Sequence, residues 1–118
     1  MVGCLHPRGV VAKRTTDHYL ITARIMKAVA QPIRLAILDS LRDGEKCVQD
    51  IVKAVGAERS NVSRHLAVLA SAGILLSRKE GLNVYYTLRT PCILNVFTCV
   101  RGVVEADLRD NQQALCCL

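Results

Sequence analysis

Residues 56–73, Gly-Ala-Glu-Arg-Ser-Asn-Val-Ser-Arg-His-Leu-Ala-Val-Leu-Ala-Ser-Ala-Gly, constrain what this chain can fold into more than any other stretch. Val62, Leu66 and Leu69 recur at i, i+4 and i+7, which is the spacing of one apolar face of a helix. Ser60, Ser63, Arg64 and Ala67 fall on the opposite face, and Gly73 closes the helix. Small hydroxyls, an arginine and little bulk suit a helix that enters a DNA major groove and meets base edges and phosphates. An ordinary amphipathic surface helix carries the same stripe, so the flanking segments decide between the two readings.

Those segments predict a short helix before residue 56 and a hairpin after residue 73. Val48, Ile51, Val52 and Val55 form one apolar face ended by Gly56, which makes a helix-turn-helix with the stretch above. After Gly73 the period changes from helical to extended. Residues 74–79 form one strand and Glu80-Gly81-Leu82-Asn83 a turn; Val84, Tyr85, Tyr86, Thr87 and Leu88 form a β-branched and aromatic second strand. A hairpin directly after the second helix is the layout of a winged helix-turn-helix, and Arg78 and Lys79 on its flank are candidates for the DNA backbone or minor groove. The fold class expected is mainly α with a β-hairpin wing.

Upstream, residues 1–16 show no clear periodicity and are expected to be a flexible arm. Residues 17–30 read as a helix capped by Asp17, with Ile21, Ile25 and Val29 every fourth residue. Pro32 opens a second helix, with Ile33, Ile37, Leu38 and Leu41 on its apolar side, ending at Gly44. Pro91 opens the last helix, whose stripe of Ile93, Val96, Phe97, Val100, Val103 and Val104 is broad. Residues 17–110 are taken as one domain and 111–118 as a cysteine-containing tail. So small a unit cannot cover the stripes of both its first and last helices. A two-fold homodimer through those helices buries them, and sets two recognition helices roughly 34 Å apart on a palindromic operator.

Composition bears on partner and compartment. The net charge of +6 favours a polyanionic partner such as double-stranded DNA. No apolar run approaches the roughly 18–20 residues of a membrane span, and residues 1–14 lack the apolar core of a secretory signal. A cytoplasmic protein is expected, with its six cysteines held as thiols. That many thiols point to soft-metal or redox chemistry. No nucleophile or base stands at a recognisable spacing from His18 or His65, so an enzyme is not expected.

Three segments together resemble the ArsR/SmtB family of winged-helix metal-sensing repressors: residues 27–38, Lys-Ala-Val-Ala-Gln-Pro-Ile-Arg-Leu-Ala-Ile-Leu, then 56–73, then the wing through Tyr85-Tyr86. The resemblance covers about residues 20–104. It implies a homodimeric repressor that leaves its operator when a metal, metalloid or thiol oxidant reaches its cysteines. By position it implies that Arg59, Ser60, Asn61, Ser63, Arg64 and His65 face DNA. Gln31 stands where family members commonly carry an acidic residue.

The resemblance also frames the sensing chemistry. A zinc site on the last helix needs histidine, and no histidine follows His65. Residues 47–51, Cys-Val-Gln-Asp-Ile, resemble the Cys-Val-Cys-Asp-Leu motif of some arsenite, cadmium and lead sensors, but Gln49 replaces the second thiol. Cys47, with Cys4 reaching it from the arm, is therefore one candidate; the alternative is that Cys47 begins a capping box with Asp50. Cys92 and Cys99 resemble the paired last-helix thiols of arsenite-responsive members, with Cys116 or Cys117 as third donor. Trivalent arsenic suits three thiolates, and antimonite, cadmium, lead and mercury share that softness. Seven helical residues span roughly 10 Å, whereas two sulfurs on one ion of zinc-like size lie within about 4.6 Å. Cys92 and Cys99 of one straight helix therefore cannot share an ion: either the first turn unwinds or the ligands cross the dimer. The alternatives are a thiol-redox or persulfide-responsive repressor of the same fold, and a winged-helix interaction or metal-buffering module that does not read DNA.

Overall fold

The break between the first two helices is written in the backbone at Gln31. A residue before proline is pushed out of the helical region, and Gln31 lies extended at φ −152°, ψ 138°, with Pro32 opening the next helix. The structure, a computed structural model, describes residues 8–116 of the chain, and side chains over 17–112. In order come α1 (Arg8–Val29), α2 (Pro32–Ser40), β1 (Lys46–Cys47), α3 (Val48–Val55), α4 (Arg59–Ser71), β2 (Leu75–Glu80), β3 (Asn83–Leu88), a 3₁₀ turn (Pro91–Leu94) and α5 (Asn95–Cys116).

The helix-turn-helix is built as the apolar spacing requires. Gly56 ends α3 in the left-handed region at φ +76°, and its N–H donates to the Val52 carbonyl at 2.9 Å. Gly73, at φ +81°, ends α4 in the same way. The Gly73 N–H donates to the Ala70 carbonyl and the Ile74 N–H to the Leu69 carbonyl, both at 3.0 Å. That is a Schellman ending, with Ile74 and Leu69 both in the core. Ile37, Leu38, Ile51, Val62, Leu66 and Leu69 are all fully buried, so α2, α3 and α4 share one core.

The wing is a three-stranded antiparallel sheet in the order β1-β3-β2. Glu80 pairs with Asn83, which leaves Gly81-Leu82 as a two-residue turn. Gly81 takes the positive φ of +63° that the first position of a type II′ turn requires. Leu75 pairs with Leu88, and both join the core at the base of the wing. The sequence signals omit β1: two residues are too short for any periodicity, and only their pairing with Tyr85 and Tyr86 defines them.

Several expected boundaries move. The first helix begins at Arg8 rather than Asp17, so Asp17 lies inside it, and the arm expected over residues 1–16 is helical from Arg8 on. Residues 1–7 lie outside the described part. The second helix stops at Ser40 and turns carry the chain to Gly44. The last helix does not start at Pro91. Pro91–Leu94 is a separate 3₁₀ turn, and α5 runs from Asn95 through the polar stretch to Cys116, so residues 111–116 of the expected tail are helical.

The two outer helices leave much apolar surface uncovered. Tyr19, Leu20, Ile21, Ile25 and Met26 on α1, and Val96, Val100, Val103, Val104 and Leu108 on α5, are exposed. An apolar groove of about 380 Å³ runs between them, lined by Ile25, Met26, Val29, Leu35, Ile93, Val96 and Val100 among others. The radius of gyration is 18.9 Å. A compact chain of this length has one of roughly 13–14 Å, so α1 and α5 project from the core.

Candidate DNA interface and thiol positions

Burial of the Val62, Leu66 and Leu69 face turns the other face of α4 outward. Arg59, Ser60, Ser63, Arg64 and Ala67 are exposed, and Asn61 is half-buried at the margin. Two guanidinium groups, two hydroxyls and one carboxamide thus line one outward strip, with donors for phosphate oxygens and base edges.

His65 is a correction. It was expected to face DNA, yet it is buried, with 9% of its surface exposed. Its Nδ1 accepts a hydrogen bond from Arg34 Nε at 3.1 Å, and Arg34 Nη1 also donates to the Ala28 carbonyl at 3.0 Å. Arg34 therefore ties the last turn of α1 to the inner side of α4. Burial, then the positive charges of Arg34 and Arg64, hold the His65 imidazole below its ordinary pKa. The signal was present in the sequence: His65 stands three residues after Val62 and four before Leu69, on the apolar stripe itself. Arg34 became recognisable as its partner, and Ala28 as the second partner of Arg34, only in three dimensions.

The two wing cations also differ from each other. Lys79 is exposed. Arg78 is half-exposed and ion-paired with Glu45 and Glu80, both at 2.6 Å, a pairing that the sequence does not show.

Of the thiols, Cys92 and Cys99 are exposed and Cys47 is half-buried, and all three are unbridged. Cys47 does stand at the N-cap of α3 with Asp50 in the first turn, but its side chain makes no capping bond. The capping-box alternative is therefore not realised. Cys92 belongs to the 3₁₀ turn and Cys99 to α5, so the two sit on different elements. Cys92 also lines a cleft of about 300 Å³ with Ile25, Gly73, Ile74, Thr90 and Ile93. Among the described residues no three His, Cys, Asp or Glu side chains are gathered as for a metal ion. The side chains of Cys4, Cys116 and Cys117 lie outside the described ones.

Comparison with known proteins settles the family. The model described as "Bacterial regulatory protein, arsR family" matches residues 31–77. The HTH-type transcriptional regulator Rv0081 of Mycobacterium tuberculosis is 32% identical over 98 residues, covering 82% of this chain and 86% of the relative. The chain belongs to the ArsR family. A neighbour in structure is the homodimeric winged helix-turn-helix DNA-binding domain (fragment 1–100) of Mb0332 from Mycobacterium bovis, described as a possible ArsR-family transcriptional regulator. Its TM-score is 0.68 at 33% identity, over 82% of this chain and 90% of that one. The arsenical resistance operon repressor of Escherichia coli is 39% identical over 59% of this chain and 61% of its own length. This ArsR-family chain spans only 39% of the length of another relative, the M. tuberculosis regulator Rv0324, at 36% identity over 75% of the chain. The chain thus carries the winged helix-turn-helix of this family's transcriptional regulators. Among the described residues no helix is long and apolar enough to cross a membrane.

Proposed function

We propose that this ArsR-family regulator is a homodimeric repressor that holds operator DNA with the outer strip of α4, and that it releases the DNA when trivalent arsenic or a related soft ion binds cysteine thiolates. The observation that carries the DNA reading is the division of α4 into a buried apolar face and an outward strip of Arg59, Ser60, Asn61, Ser63 and Arg64. Lys79 on the wing and the net charge of +6 support it. The uncovered faces of α1 and α5 support dimerisation through those helices, since a patch of this extent on a monomer marks an interaction site.

The inducer reading rests on donor chemistry. Cys92 and Cys99 are exposed, unbridged and soft. They flank the joint between the 3₁₀ turn and α5, where the wing's chain enters the dimer helix. A ligand that binds one arrangement of that joint more tightly than another shifts the spacing of the two recognition helices. The third donor is assigned to Cys116 or Cys117, and Cys47 with Cys4 forms the alternative set. Antimonite, cadmium, lead and mercury are the alternative inducers.

The test is operator binding by wild type, Cys92→Ser and Cys99→Ser, titrated with arsenite under reducing conditions. Release of wild type with both variants still bound supports the assignment. Release of all three moves the sensor to Cys47. Retention of all three removes arsenite as the inducer.

A further inference from the structure

Arg78 stands midway along β2, on the strand that leads into the wing tip, and its hydrogen-bonding edge is largely taken. Its Nε donates to Glu45 Oε2 at 2.8 Å and its Nη2 to Glu45 Oε1 at 2.6 Å, a two-pronged fork on one carboxylate. Its Nη1 donates to Glu80 Oε2 at 2.6 Å. Its Cζ lies over the Tyr85 ring, 4.6 Å from the centroid, close enough for cation–π attraction. A guanidinium offers five N–H donors in one plane. Three are in use here, including the pair that would grip a phosphate, and one flat face rests on the phenol.

The partners come from three different strands or their ends. Tyr85 of β3 is the register partner of Arg78 on one side and of Cys47 of β1 on the other. Glu45 immediately precedes β1. Arg78 thus reaches from one edge of the sheet, across the middle strand, to the segment joining α2 to β1. Two carboxylates around one guanidinium leave that face of the wing with a net negative charge. The Arg78 guanidinium holds the Glu45 carboxyl below the usual carboxylate range.

We propose that Arg78 is a positioning residue: it clasps the wing to the α2–β1 segment, and Glu45 and Glu80 withhold its guanidinium from DNA phosphate. The proposal rests on the DNA-binding reading above. It assigns the phosphate contacts to α4 and to Lys79, whose neighbours alternate to the opposite face of β2. It also makes Glu45 a brake on affinity, since removing its charge opens the Nε–Nη2 edge of Arg78 to a DNA phosphate while Glu80 holds only Nη1.

The experiment measures binding to a duplex taken from immediately upstream of the chain's own coding sequence, over a range of salt concentrations. The proteins are wild type, R64A, R78Q, E45Q and E45Q/R78Q. Each phosphate neutralised changes the slope of log affinity against log salt by about 0.9. R78Q is expected to keep the wild-type slope. E45Q is expected to bind more tightly and to steepen the slope by about 0.9 per protomer, and the double variant to return to the wild-type slope. A slope flattened in R78Q, or unchanged in E45Q, overturns the proposal. R64A separates the two readings. If neither wild type nor R64A shows salt-dependent binding, the DNA reading fails. The clasp is then judged in the free protein by hydrogen exchange at Arg78 Nε: slow in wild type and fast in E45Q supports it, and fast in both overturns it.

Discussion

Replacing Arg34 with methionine removes a side chain that bonds both α1 and α4. The guanidinium gives one hydrogen bond to His65 Nδ1 and one to the Ala28 carbonyl. The second satisfies a carbonyl in the last turn of α1, where no intrahelical donor remains. Hydrogen bonds from a charged donor contribute roughly 1.5–3 kcal/mol each. Arg34 is half-buried, so the lower figure applies, and R34M should lose about 3 kcal/mol. For a chain of this size that lowers Tm by roughly 10 °C. The imidazole adds a pH signature. His65 is held below its ordinary pKa in the fold, while an unfolded histidine titrates near 6.5. The unfolded chain therefore takes up the proton first. The stability contributed by neutral His65 is fully present above about pH 6.5 and is lost as pH falls through the folded value, by at most about 1.4 kcal/mol per pH unit. Thermal melts of wild type, R34M and His65→Phe from pH 5 to 8 measure both effects. The wild type should lose stability on acidification, and the phenylalanine variant should lose less. The reasoning is refuted if R34M melts within about 2 °C of wild type, or if His65→Phe keeps the full acid sensitivity.

Other consequences are simpler to state. Leu66 is fully buried in the core cluster; Leu66→Ala should cost about 3 kcal/mol in urea unfolding. Gly56→Ala places a Cβ at φ +76° in open space, so its cost is backbone strain alone, about 1–2 kcal/mol. Val100 lies half-exposed beside the groove between α1 and α5; Val100→Asp should give a monomer in sedimentation equilibrium and weaken DNA binding with no loss of helix by circular dichroism. Arg64→Ala should weaken binding and flatten the salt slope by about 0.9 per protomer, while binding unaffected at every salt concentration would remove Arg64 from the interface.

The sequence alone determined the elements whose signal is local. The stripe of Val62, Leu66 and Leu69, the left-handed glycines at 56 and 73, and the proline at 32 each act within a turn or two of backbone, so the helix-turn-helix and the hairpin were legible before any contact was known. The exposed strip of α4 followed, because burying one face of a helix fixes which residues lie opposite. The same logic, applied to all four positions of the stripe, would have turned His65 inward; its polarity obscured its place at i+3. What the tertiary structure decided was pairing at a distance. Arg34 meets His65 across 31 positions in the chain, and Arg78 meets Glu45 across 33. No periodicity encodes such separations. A charged side chain reads as free in a sequence because its partner is supplied by another element, brought close only when the apolar faces pack. β1 exists for the same reason: two residues become a strand only because β3 offers its open edge to them.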